Sequence, residues 1–276
     1  MGNATFVSER PATAEAESDG RLRVIVLNIN NEEHARSYAP EAGNAGWPEG
    51  HESRGFVGDS ILVVAPSGKT MLIDAAWSSN YSLPEWGEVD YGTNPVSPFL
   101  KQGGIDTIDW AVVSHQHYDH IGGIAELVRS RNVDVRGLLW SPLPDELFRA
   151  WGGSLAEDCI ALTHDLAGAC ADHAIPVVGA KQGETIDLGG GVSLEVLSVA
   201  EPDHEVESYV NNNCVVLRLT YGDFAMVLTG DAGFGQEERM MAEWEDLSSD
   251  VLKLGHHAGA GATGDAWLQA VDPAIG

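Results

Sequence analysis

Basic residues and cysteine are what this chain has least of. Lysine occurs only as Lys69, Lys101, Lys181 and Lys253, and 15 basic residues stand against 42 acidic ones, a formal net charge of −27. Such a surface repels nucleic acid and anionic membranes, so nucleic acid is an expected partner only at high salt. One reading of the excess is adaptation to high salt, where screening removes the repulsion. The other is an acidic protein without that history. Cys159, Cys170 and Cys214 show no CxxC spacing, which argues against a disulfide framework and reads as buried thiols. No apolar stretch is long enough to span a bilayer, so no membrane partner is expected. Residues 1–21 lack the apolar centre of a signal peptide and are rich in Ala, Glu, Ser and Pro. They read as a disordered leader, and the chain as cytoplasmic.

What is abundant lies in one short stretch, Ser114-His115-Gln116-His117-Tyr118-Asp119-His120-Ile121-Gly122-Gly123. Three histidines and one aspartate fall within six residues. The apolar run Ile108–Val113 before them reads as a buried strand, and Ile124–Val128 after them as a helix. In an extended segment alternate side chains share a face, which points His115 and His117 the same way. Asp119 and His120 fall where the chain turns into the helix. Imidazole and carboxylate together suit zinc and similar divalent ions. Two ligand pairs this close suggest two ions in one pocket. The alternative is a polar surface turn, but histidine is too scarce for such a cluster to arise often by accident.

Along the rest of the chain, Arg21–Ile29 alternates as a first strand. Ser60–Val64 and Thr70–Asp74 form a hairpin around Pro66-Ser67-Gly68-Lys69. Pro98–Gln102 reads as a short helix stop and residues 144–174 as mostly helical, with His164 and His173 solvated. Thr185–Val199 makes two strands around Gly189-Gly190-Gly191. Val215–Thr220 and Ala225–Thr229 make a further hairpin, Gln236–Glu245 a helix and Asp250–Leu254 a strand. The motifs run from end to end, which favours one domain over residues 22–276.

The HxHxDH pattern of His115, His117, Asp119 and His120 resembles the signature of the metallo-β-lactamase superfamily. Gly58-Asp59-Ser60, Asn211-Asn212-Asn213, Leu228-Thr229-Gly230-Asp231 and Lys253-Leu254-Gly255-His256-His257 are similar to one branch of it, the hydrolase domain of the ComEC/Rec2 competence proteins and related phosphodiesterases. The resemblance implies a four-layer αββα sandwich. It implies two divalent ions, zinc first and manganese second, held by His115, His117, Asp119, His120, Asp231 and His257. Asp231 is expected to bridge both ions and Asp74 to orient a ligand. His257 is expected to join His115 and His117, leaving His256 to donate to the developing oxyanion, although the reverse assignment of the two stays open. Asp119 and His256 are the expected catalytic residues.

Compared with that branch, residues 30–57 look like an insertion beside the pocket, where His34, Trp47 and His51 could touch substrate. His204 reads as solvent-exposed. The branch carries a last metal histidine downstream of its double histidine. Here the chain reaches Asp272-Pro273-Ala274-Ile275-Gly276 first, so a C-terminal strand and the last ligand of the second ion look missing. The implied reaction is hydrolysis by a hydroxide shared between two cations, with a phosphodiester as the leading substrate. The competing readings are a hydrolase of thioesters, esters or lactams, and a non-catalytic binding module that keeps the fold.

Overall fold

A computed structural model of the chain describes residues 20–27, 58–79, 94–201 and 210–276. His34, Trp47, His51 and His204, and nearly all of the expected leader, lie outside the described residues. The first sheet takes β1 (Arg23–Val26), β2 (Ile61–Val64), β3 (Thr70–Ile73), β5 (Trp110–Val112), β7 (Leu138–Trp140) and β8 (Val177–Gly179), in the order β1-β2-β3-β5-β7-β8. β4 (Thr107–Ile108) and β6 (Asp134–Val135) pair separately. The second sheet takes β9 (Thr185–Gly189), β10 (Val192–Ser198), β11 (Val216–Tyr221), β12 (Phe224–Leu228) and β13 (Val251–Lys253), in the order β13-β12-β11-β10-β9.

Side-chain alternation along these strands builds the layers. Leu62 and Val64 face one way, into a core with Ile121, Ile124, Leu127 and Leu166. Those residues come from α2 (Tyr118–Ser130) and α4 (Ala156–Asp172). Ile61 and Val63 face the other way and meet Leu194, Val196, Leu217 and Leu219 of the second sheet. That sheet's opposite face, with Val216, Val227 and Leu252, packs on Met240 of α5 (Phe234–Glu243) and on Trp267 and Val271 of α6 (Asp265–Val271). The order of layers is helix, sheet, sheet, helix, an αββα sandwich. Strands buried on both faces are apolar throughout, as Ile61-Leu62-Val63-Val64 is.

Local differences from the sequence reading have local causes. The expected strand from Ile108 to Val113 breaks at Asp109. Its carboxylate accepts the Thr70 backbone N–H at 2.9 Å and an Arg136 guanidinium N–H at 3.1 Å, which pins a kink between β4 and β5. The helix α1 (Val96–Gln102) starts earlier than expected, because Asn94 Oδ1 accepts the Val96 N–H at 2.8 Å. Residues 144–174 divide into α3 (Asp145–Trp151), a 3-10 turn and α4. Ile275 forms a parallel bridge with Val251, and Leu252 donates to its carbonyl at 2.9 Å. Among the described residues, no helix is long and apolar enough to cross a membrane.

Sheet direction brings the polar residues to one edge. β3 and β5 run parallel, so Asp74, after β3, and His115, after β5, leave the sheet on the same side. β2 is antiparallel to β3, so Asp59, just before β2, lies there too. β12 and β13 run parallel with Leu228 opposite Lys253, which brings Asp231 and Lys253 together at the matching edge of the second sheet.

Candidate metal centre

The two sheets are clamped together at Ser114. Its carbonyl accepts the N–H of Val215, the residue just before β11 of the second sheet, at 2.8 Å. Gly230 packs against its side chain, and a Cβ there would come within 2.7 Å of Ser114 Cβ. Gly230 also has φ +56°, which glycine adopts freely. The Asp231 side chain that follows is therefore aimed at the histidines of the first sheet. On the other side, Gly123 lets α2 lie against the backbone after β3, where any Cβ would press into the Ala75 carbonyl. Ala75 donates to the His120 carbonyl at 3.0 Å, and Gly123 to the Ala76 carbonyl at 2.9 Å. These contacts fix the first turn of α2, and with it Asp119 and His120.

The side chains form two groups that share Asp231. One is His115, His117 and Asp231; the other is Asp59, His120, Asp231 and His257. In the first, His115 Nε2 lies 2.9 Å from His117 Nδ1 and 3.8 Å from Asp231 Oδ2. In the second, His120 Nε2 lies 3.3 Å from Asp231 Oδ1, and His257 Nε2 lies 3.4 Å from Asp231 Oδ2. His257 Nδ1 is 3.5 Å from Asp59 Oδ1. Asp119 flanks the second group, its Oδ2 3.3 Å from His257 Nε2 and 3.8 Å from His120 Nε2.

These residues fit a bound cation. Ligands held ~2.0–2.1 Å from a tetrahedral zinc stand roughly 3.3 Å apart from one another. The spacings of 3.3 and 3.4 Å around Asp231 match that figure. His120 Nε2, His257 Nε2 and Asp231 Oδ1 are buried without a hydrogen-bond partner among the described residues. Buried polar atoms rarely go unmatched, and three orphans converging on one point is the pattern a metal satisfies.

The surrounding contacts set the ring orientations. Asp74 Oδ2 lies 2.8 Å from His120 Nδ1, which keeps a proton on Nδ1 and turns Nε2 toward Asp231. The other contacts of Asp74 come from Ser114, whose N–H donates to Oδ1 at 2.8 Å and whose hydroxyl donates to Oδ2 at 2.6 Å. With its proton so used, Ser114 Oγ accepts from His115 Nδ1 at 3.1 Å and leaves His115 Nε2 free to ligate.

Electrostatics separate the two groups. Burial pushes His115 well below the ordinary histidine range, and nearby His120 and His117 add to the effect. Burial also lowers His117, with Asp119 and Asp231 opposing. His120 goes the other way: burial would lower it, but Asp231, Asp119 and Asp74 carry it well above its ordinary value. Burial likewise opposes charge on His257, and the nearby carboxylates of Asp119, Asp231 and Asp59 overcome it and raise the ring to about 11. Asp231, buried among these rings, is held well below the carboxylate range despite its burial, with His120 the largest cause.

The grouping of His257 differs from the expected one. His257 groups with Asp59, His120 and Asp231 rather than with His115 and His117, because the turn after β13 has left-handed backbone at both His256 (φ 48°) and His257 (φ 51°). Asp59 and His257 stand beside His120 and Asp231 in the second group. His256 is half-buried and outside both groups, its ring centroid 6.1 Å from that of His257. The asparagine run is buried at Asn211 and Asn213; Asn213 Oδ1 accepts the Glu201 N–H at 3.2 Å. His164 sits on the surface beside Asp145.

Asp59 and Lys253 are site residues that the sequence reading missed. Each carried a signal. Asp59 follows a glycine directly before an apolar strand. Lys253 is one of few lysines in the chain, and it ends a strand just before the double histidine.

The comparisons agree with this architecture. The metallo-beta-lactamase superfamily model matches residues 53–275, and the chain belongs to that superfamily, whose members are mostly metal-dependent hydrolases. It is similar to the ComE operon protein 3 of Bacillus subtilis, 27% identical over 225 residues, covering 78% of this chain and 26% of that protein. It is also similar to the competence protein ComA of Neisseria gonorrhoeae, 24% identical over 238 residues, covering 86% and 28%. These support the ComEC-like branch. The chain thus spans about a quarter of the length of these relatives. Among solved structures, a Cronobacter sakazakii metallo-beta-lactamase with a HARLDQ motif aligns at TM-score 0.41 and 19% identity, covering 70% of this chain and 72% of that one.

Proposed function

We propose that the chain is a dinuclear metal-dependent hydrolase acting on a phosphodiester. The observation that carries the metal reading is the pair of donor groups meeting at Asp231, with ligand-like spacings and orphaned buried atoms. The substrate class rests on the similarity to the ComEC-like branch. Zinc suits the imidazole-rich first group, and manganese is the alternative for the more carboxylate-rich second one. Divalent ions bound here would supply Lewis acidity and acidify water near neutral pH.

The chain's own residues do the rest. Asp231 ties the two groups into one pocket. Asp74 and Ser114 hold the rings of His120 and His115 with their Nε2 atoms inward. Asp119, on the flank of the second group, orients the attacking water. His256, outside both groups, donates to the oxygen that becomes negative.

The test is turnover of a chromogenic phosphodiester, a thioester and a β-lactam, each with zinc or manganese, at low and high salt. Metal-dependent cleavage of the phosphodiester is expected to exceed that of the others. Asp119→Ala should lose more than about hundredfold in turnover while keeping its circular dichroism spectrum. Faster thioester or lactam cleavage would overturn the substrate class. Full turnover after chelation would overturn the metal role.

A further inference from the structure

Lys253 ends β13 and reaches into the second group. Its Nζ lies 2.5 Å from Asp59 Oδ2, 2.6 Å from the Gly230 carbonyl and 3.9 Å from Asp231 Oδ1. The side chain is only 12% exposed. Leu252 beside it points the opposite way, into the core under α5 and α6, so alternation along the strand forces Lys253 toward the site. Asp59 is therefore claimed twice, by the ammonium and by the cation that its group could hold with His120, Asp231 and His257.

We propose that Lys253 is an internal counter-cation of the second group, set against the second divalent ion, so that the two ions bind with unequal affinity. The inference rests on the metal reading above. Without ions, several carboxylates crowd one buried spot, and Lys253 supplies a permanent positive charge that the histidines supply only when protonated. A second divalent ion must then enter close to a fixed ammonium at low local dielectric and take Asp59 from its partner. Both costs fall on the second group. Within the first group, Lys253 pairs only with the shared Asp231, so the first ion escapes most of them. The weakness of the second ion then comes from Lys253.

The experiment is a calorimetric titration of chelated, dialysed protein with zinc, and separately with manganese, with bound metal counted by elemental analysis. Wild type should take up two ions in unequal steps. Lys253→Met should tighten the second step by at least about tenfold and leave the first unchanged. Lys253→Arg keeps the charge and should keep the unequal steps. If metal-free Lys253→Met does not stay folded, Lys253→Gln serves, since its amide can still donate to the Gly230 carbonyl without the charge. One ion in wild type and two in Lys253→Met would also support the proposal. A second step that is unchanged or weaker on removing the charge overturns it, as do two equal steps in wild type. No metal uptake by any of these proteins would overturn the metal reading itself, a separate result.

Discussion

His115 and His120 are five positions apart in the chain, both are buried at 3% and 0% exposure, and they sit on opposite sides of one electrostatic divide. His115 looks onto His117 and the Ser114 hydroxyl, and burial makes it a neutral ring. His120 is as well shielded from water, but Asp74, Asp119 and Asp231 surround it and hold a proton on it. The same residue type at the same depth takes opposite states because nearby charge outweighs burial in one place and is weaker in the other. In the ion-free protein the first group is ready to ligate. On the proposed reading, an ion entering the second group would have to release protons there and displace Lys253 from Asp59.

Removing the residue the two halves share breaks the comparison most completely. Asp231→Ala should abolish uptake of both ions and lower turnover by more than about hundredfold, as checked by elemental analysis and assay. Retention of one tightly bound ion would show that the halves are independent. Asp74→Asn tests one half alone. It takes the charge from the carboxylate that orients His120, so the second ion should weaken by about 10–100-fold while the first holds its affinity. A titration in which both steps weaken equally would remove the distinction between the groups.

A pH series on chelated protein sharpens it further. His257 is raised in the fold from 6.5 to about 11, so its contribution to stability is fully present below pH 6.5 and is lost as pH rises toward 11. The metal-free melting temperature should therefore fall by several degrees between pH 7 and pH 10. His257→Gln should reduce that slope, with His120 carrying the remainder, and His117→Gln should leave it in place. The smallest effect is expected from salt, which acts on the acidic surface and reaches neither buried group. The Debye length falls from about 30 Å at 0.01 M to about 3 Å at 1 M, so the melting temperature should rise over that range. A flat melting temperature would count against salt adaptation.

Much of the molecule was legible because its signals are local. Ile61-Leu62-Val63-Val64 and Val216-Leu217-Arg218-Leu219 announce strands through composition, and the cluster at His115–His120 announces ligands through spacing. The break at Asp109 was not legible, since it depends on Thr70 and Arg136 arriving from other strands. Nor was the grouping of His257. A strand register would turn adjacent histidines to opposite faces, but the backbone there is left-handed. Glu237 helps explain that turn: its carboxylate accepts the N–H groups of Thr263, at 2.5 Å, and Gly264, while Thr263 Oγ1 accepts the Gly255 N–H at 2.9 Å.

By itself the sequence determined most of the strand and helix segments and the ligand cluster at His115–His120. All of these follow from residue types and short spacings along the chain. Only the tertiary structure decided which donors form a group, that Asp59 and Lys253 belong there, and which histidines carry charge. Those outcomes depend on Coulomb interactions and packing, which fall off with distance in space. Asp59, His120, Asp231 and Lys253 become neighbours only when two sheets bring their edges together.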